Sequence, residues 1–267
     1  MRMRRLVMGT TAWLLLAVTL PLVAAVPDPR QGVEPARTPW QSGERLYYEI
    51  DFAFLTAAKG VFRATREKGS DHLELELRTS GIADAVFPIK SNFWSRMTRQ
   101  PWRSIVYGEK RDENGDLNHE RNTIDYAKGR GTRERYSDQQ TDTFDFDPKL
   151  CLSDLVSMNY GLRYGPWKPG DKRRFDLHEG GSLKEGEATC VAVEEKSVAD
   201  WPKQRVIQLR VVPLGDDREK GELELFLTDD GWRLPLLAKL KFDYGSAHIR
   251  LVKAETPGKN TREVSAD

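Results

Sequence analysis

From Leu46 onward, apolar and polar side chains take turns with a period of two, and a backbone patterned this way settles as half-buried strands. Leu46, Tyr48, Ile50, Phe52 and Phe54 fall on one face, while Tyr47, Glu49 and Asp51 fall on the other. The same alternation returns at Leu73, Leu75 and Leu77, at Leu223, Leu225 and Leu227, and at Ala247, Ile249 and Leu251. Strands that bury one side and wet the other belong to antiparallel sheets. Asn114-Gly115, Asp230-Gly231 and Gly69-Ser70-Asp71 supply the residues that tight hairpin turns need, so successive strands are expected to be neighbours. The pattern predicts strands over 44–55, 58–67, 72–80, 91–100, 103–112, 117–127, 130–137, 171–178, 187–197, 204–213, 221–228, 232–243 and 246–254, with ends good to about 2–4 residues.

One segment leaves this period. Asp147 suits a helix cap and Pro148 a first turn; Leu152, Leu155, Val156 and Leu162 then recur at three- and four-residue steps. This predicts a single central helix from Asp147 to Tyr164, stopped by Gly165-Pro166, with a shorter helix or turn over Ile82 to Phe87. A long meander must manage its edges by closing or by curving around a cover. The expected fold is therefore mainly β: one large curved antiparallel meander, a half-open barrel, packed on the central helix. A two-sheet sandwich is the other arrangement the pattern allows.

The N-terminus reads as an export signal. Met1-Arg2-Met3-Arg4-Arg5 is basic, Trp13 to Val23 is almost wholly apolar, and Val23-Ala24-Ala25 offers small residues for cleavage after Ala25. Pro21, Pro27 and Pro29 end the apolar run too soon for a membrane span, which needs about 20 residues. No cysteine stands near the junction to carry a lipid. The expected organisation is a signal peptide at 1–25, a proline-rich linker at 26–41 that builds no core of its own, one β-rich domain at 42–255 and a polar tail at 256–267. The whole chain carries 42 Lys+Arg and 41 Asp+Glu. Loss of Arg2, Arg4 and Arg5 with the signal leaves it close to neutral, so no field exists to attract nucleic acid. The expected location is the periplasm, with no span left after signal removal.

No reaction signature follows. His72, His119, His178 and His248 are scattered without a zinc-ligand spacing and read as residues of solvated strand faces. Asp112 to Asp116 resembles the start of a calcium loop, but Leu117 stands where that loop needs glycine, so it reads as a hairpin. There is no Gly-x-Ser-x-Gly elbow and no glycine-rich phosphate loop. Asp142, Asp145 and Asp147 are the best candidates for an acid/base pair, against a plainer reading as a solvated loop ending in a cap. Cys151 and Cys190 could pair in an oxidising compartment or stay as two core thiols; both remain open. The residues imply no metal and no cofactor. Aromatic residues interleaved with arginines, Phe93, Trp94, Trp102 and Tyr107 with Arg96, Arg99 and Arg103, suit either a ligand groove or the core and rim of a sheet.

The stretches Gly43 to Tyr48, Asp154 to Arg163, Thr228 to Pro235 and Tyr244 to Ala247, in that order and spacing, resemble the bacterial exported family of domain of unknown function 3108, over about residues 40–255. The resemblance implies a β-rich periplasmic protein of Gram-negative bacteria, and brings no reaction or catalytic residue with it. The outline is also similar to open-barrel lipoprotein carriers, which hold acyl chains in a concave sheet under a helical lid, although here the helix falls mid-sequence. The expected role is non-catalytic binding of a lipid or other apolar or amphipathic envelope component, with Phe52, Phe54, Trp94, Arg96 and Tyr107 as lining residues. A carboxylate-pair envelope hydrolase and a structural or interaction module with a filled core are the alternatives.

Overall fold

The computed structural model describes residues 38–52, 55–214, 221–242, 245–258 and 261–263, and the expected signal peptide lies outside them. Eight strands lead into the centre of the chain: β1 (Glu44–Phe52), β2 (Leu55–Arg66), β3 (Ser70–Thr79), β4 (Ile89–Arg99), β5 (Trp102–Glu113), β6 (Asp116–Asp125), β7 (Arg130–Arg135) and β8 (Gln140–Asp145), with α1 (Gly81–Val86) after β3. Then come β9 (Leu152–Ser153) and α2 (Leu155–Gly161). A second run follows: β10 (Lys172–Glu179), β11 (Ser182–Val198), β12 (Trp201–Pro213), β13 (Glu222–Thr228), β14 (Pro235–Phe242), β15 (Gly245–Glu255) and β16 (Arg262–Glu263).

All of these strands form one sheet, in the order 8-7-6-5-4-3-2-1-15-14-13-12-11-10-9, with β16 added beside β15. Two meanders are thus zipped together where β1 pairs with β15, the first strand with nearly the last. Bulges at Ile50/Asp51, Arg96/Met97 and Cys190/Ala192 sharpen the bend of the sheet. Asn114 and Gly115 both take positive φ, 56° and 89°, as a two-residue hairpin requires. The ladder stops at β8 on one side and β9 on the other. Across that seam the link is made by side chains: Arg133 donates to the Gly180 carbonyl (3.0 Å), and the His178 ring stacks on Phe144 (4.5 Å). The fold is the expected mainly β, half-open barrel around a helix, and the two-sheet alternative is set aside. No helix among the described residues is long and apolar enough to cross a membrane.

The helix starts later than the spacing suggests. Asp154, not Asp147, is its cap: the carboxylate accepts from the Val156 and Ser157 amides, and the Ser157 hydroxyl accepts from the Asp154 amide. This capping box is buried, and a hydroxyl from Ser95 on β4 ties it to the sheet. Asp147 instead closes a turn through Lys149. Leu152 and Ser153 are extended and pair in parallel with β10. β8 escapes the alternation rule because nearly all of its residues are exposed.

α2 divides the interior. Val156 and Tyr160 pack toward β2–β5, while Met158 and Leu162 pack toward β10–β14. Burying side chains of this size stabilises by about 1.5–3 kcal/mol each. Trp40, placed in the expected linker, is only 1% exposed. It meets Trp102, Tyr160 and Tyr164 at ring distances of 4.9–5.2 Å and donates to Asp71 (3.1 Å). The short Thr38 to Gln41 stretch is therefore part of the core, whatever its proline content suggests; 26–37 lie outside the described residues. In the expected tail, Arg262 and Glu263 form β16.

Candidate ligand-binding site

Cross-strand register decides what each strand presents to the hollow. Tyr48, Gly60 and Leu77 stand side by side on β1, β2 and β3, and so do Leu46, Phe62 and Leu75. Facing them across the barrel are Leu223 and Leu225 of β13, with Ala238 and Leu240 of β14. These residues and the Leu155, Met158 and Asn159 side of α2 enclose a partly open cavity of about 120 Å³. A water needs roughly 10–15 Å³ on this measure, so the space would hold roughly ten waters, or a segment of hydrocarbon chain in their place. Its wall is overwhelmingly aliphatic and aromatic, and such a cavity favours apolar content.

The cavity's polar feature lies at the end of the helix. Arg163 is 1% exposed and Glu44 0%, and they form a two-point ion pair with N···O distances of 2.7 and 2.9 Å. Arg163 also donates to the carbonyls of Pro39, Trp232 and Arg233. The neighbouring carboxylate keeps the Arg163 guanidinium above its ordinary value in spite of the burial that would lower it. Burial raises the Tyr48 phenol nearby, so it stays protonated and donates to the Pro235 carbonyl (3.2 Å).

Continuing across β4 to β7, the concave face changes character. The Tyr48-Gly60-Leu77 row runs on into Ser91, Arg111 and Asn118; the row below ends in Glu109 and Glu120; the third carries Ser95, Tyr107, Asn122 and Arg133. Glu109 accepts from Arg111 (2.9 Å), Asn118 (3.0 Å) and Tyr107 (3.3 Å). Glu120 accepts from Arg133 (2.9 Å) and Asn122 (3.1 Å). Burial, with the Glu120 charge opposite, pushes the Glu109 carboxyl up despite Arg111. Burial likewise raises the Asp154 carboxyl against its hydrogen bonds.

His178 is not on a solvated face. It is 2% exposed, stacked on Phe144 with its edge toward Tyr107, and burial together with Arg133 lowers it to about 4. An unfolded chain takes up the imidazole proton near 6.5 while the folded one resists until about 4, so native stability falls as pH drops through that window. A His178→Gln variant is expected to lose up to about 3 kcal/mol of that acid sensitivity. Urea unfolding at several pH values reads this directly. Parallel pH profiles for parent and variant would show the ring to be solvated.

The five expected lining residues separate. Phe52 faces inward in the row of Leu240 and Leu223, beside the cavity rather than in its wall. Tyr107 also faces inward, but into the polar rows. Trp94 points outward: its indole covers Gly108, where a Cβ would lie only 2.1 Å from the ring, and approaches His119. Arg96 is on that same outer face, paired with Glu67. Phe93, Ser95 and Met97 take the inside, and neighbours in a strand cannot share a face. Phe54 lies outside the described residues. Asp142, Asp145 and Asp147 are all exposed and bound to Arg135, Arg130 and the Lys149 amide; they are solvated, as the plainer reading has it, but on the edge strand β8 and in a turn rather than in a loop that ends in a helix cap. Cys151 and Cys190 are not joined; the Cys190 thiol lies 3.7 Å from the Ala192 carbonyl. Glu44, Gly60, Arg163 and the inward polar residues were not singled out from sequence, although Glu109 shares the parity of Tyr107.

Residues 47–252 match the family described as "Protein of unknown function (DUF3108)". The chain belongs to this family. Among solved structures, the DUF3108 chain is similar to a β-barrel-like protein of domain of unknown function DUF1849 from Brucella abortus, with TM-score 0.56 and 7% identity over 82% of this chain and 100% of that one. It is also similar to the hypothetical protein CT021 from Chlamydia trachomatis, with TM-score 0.39 and 8% identity over 85% and 93% of the two chains. A DUF1089 family protein from Pseudomonas aeruginosa aligns with TM-score 0.40 and 10% identity over 71% and 91%. At such identities only the first likeness speaks, and it speaks for the fold alone. None of the curated proteins matches the chain.

Proposed function

We propose that this DUF3108 protein is an exported, periplasmic, non-catalytic carrier whose curved sheet holds the apolar part of an envelope lipid beneath α2. The observation that carries the reading is the aliphatic cavity itself. A scaffold whose only need was stability would fill that space, since each unfilled methyl-sized void costs about 1 kcal/mol. Here Gly60, in the middle of a strand, leaves the floor bare between Leu75 and Leu77. Glycine in such a position is itself unfavourable by roughly 0.5–1 kcal/mol. The basic, apolar and small-residue sections of residues 1–25 support export. Exposed Leu55, Ile82 and Val86, on β2 and α1, put apolar side chains on the outer surface near the ends of cavity-forming strands, where a lipid tail could first make contact.

Gly60→Val gives the test. A Cβ there meets Leu77 at 3.5 Å and Leu75 at 3.7 Å, ordinary packing distances, so the new methyls occupy the cavity without displacing the backbone. The variant is expected to be as stable as the parent or more so, by up to about 1 kcal/mol. Lipid should accompany the parent when it is recovered from periplasm and analysed by native mass spectrometry, and should be depleted in the variant. A parent that carries no lipid, and binds none when offered, ends the carrier reading.

A further inference from the structure

The inward face of β5–β7 is polar, and its charges are already spoken for. Glu109 is held by Arg111, Glu120 by Arg133, and Arg135 reaches Asp138 and Asp142. Of the buried atoms on this face that lack a hydrogen-bond partner, Arg135 Nε belongs to a guanidinium whose charge Asp138 and Asp142 already balance, and the others are on uncharged groups. The Asn122 Oδ1 atom, on a residue 0% exposed, accepts nothing; His178 Nε2, at 2% exposure, has no partner; and Ser91 Oγ is in the same position. Asn122 and His178 share one corner: Asn122 is the cross-strand neighbour of both Tyr107 and Arg133, and the His178 ring edge meets Tyr107. Ser91 lies between this polar face and Leu77 at the wall of the apolar cavity.

Buried polar atoms without partners cost free energy that a bound ligand can recover. A charged head group would find no unpaired countercharge and would be buried at a loss. A hydroxyl both donates and accepts, and can answer an amide oxygen, an imidazole nitrogen and a serine alike.

We propose that this corner is a head-group subsite for an uncharged, hydroxyl-bearing head, and that the carried molecule is therefore a neutral amphiphile such as a glycosylated or polyol-headed lipid. The assignment rests on the carrier reading and specifies its ligand.

The test compares amphiphiles of equal tail length on the full exported chain by titration calorimetry below their micelle concentrations. Dodecyl maltoside is expected to bind at least about tenfold more tightly than dodecyl sulfate or dodecyltrimethylammonium, the effect of one or two buried hydrogen bonds. Asn122→Ala should remove about that factor for the maltoside and leave dodecyl sulfate unchanged. Should Asn122→Ala fold poorly, Ser91→Ala, which deletes only a hydroxyl, should reduce the same preference. Equal affinities for the three amphiphiles, all weakened by Gly60→Val, would overturn the head-group subsite and leave the tail cavity standing, its polar vacancies met by water. Binding of none of them would overturn both readings. Maltose alone, bound as tightly as its dodecyl form, would assign the corner to a free saccharide and overturn the head-group assignment.

Discussion

Replacing Arg163 by methionine is expected to lower the stability of the folded chain by about 3–5 kcal/mol, enough to unfold much of a marginal domain. The reason lies less in the lost attraction than in what is stranded. Glu44, 0% exposed, would keep its charge inside the barrel with its only ion-pair partner among the described residues gone. The carbonyls of Pro39, Trp232 and Arg233 would lose their donor at the same time. Those four partners come from two separated parts of the chain, so one guanidinium at the end of α2 joins the start of β1 to the loop before β14. Adding Glu44→Leu to Arg163→Met should restore several kcal/mol, because the buried charge is then removed rather than orphaned. Urea denaturation of parent, single and double variants measures this. A single variant within about 1 kcal/mol of the parent would show that the pair is solvated.

Trp40→Ala is expected to cost about 3–5 kcal/mol, a value proper to a core tryptophan and far above anything a linker residue could show. The indole meets three aromatic rings, and its N–H satisfies the buried Asp71 carboxylate. Asp71 also receives Arg66 and Arg99, so its loss of one donor is softened while the cavity is not. A chain beginning at Ser42 should be destabilised to a similar degree, whereas one beginning at Pro35 should match the longer form. Thermal unfolding of the two truncations separates the cases. Equal melting temperatures would mean that the ring only rests on the surface.

These two effects mark where sequence reading was strong and where it was weak. Alternation located β1 to β7 and β10 to β15 because one wet face and one dry face leave a visible mark, as at Leu73, Leu75 and Leu77. The Asn114-Gly115 turn was legible because few residues tolerate positive φ twice in succession. β8 was not, since an edge strand exposed on both sides has no alternation to show. Helix α2 was placed but begun too early: Asp147 suits a cap by residue type, but the buried partners Ser95 and Ser157, which no local spacing announces, make Asp154 the cap. Trp40 was hidden by the prolines around it. The inward charges were hidden by the rule itself, which assigns Glu109, Glu120 and Arg133 to water unless their pairing is known. Among the expected lining residues Trp94 faces outward for a local reason, because Phe93 beside it already takes the inside.

The seam between β8 and β9 bears on the carrier role proposed above. Among the described residues every other join around the girth is a ladder of backbone hydrogen bonds, but this one is made by side chains: the stacked Phe144 and His178 rings, the Arg133 contact, and the packing of Ile124 and Phe146 on Leu152. A hoop fastened by side chains alone can spread at that point without breaking a rung. If the protein is the carrier proposed above, its bore would widen at this one place while the ladders hold elsewhere, and guests of unequal width would fit the same wall.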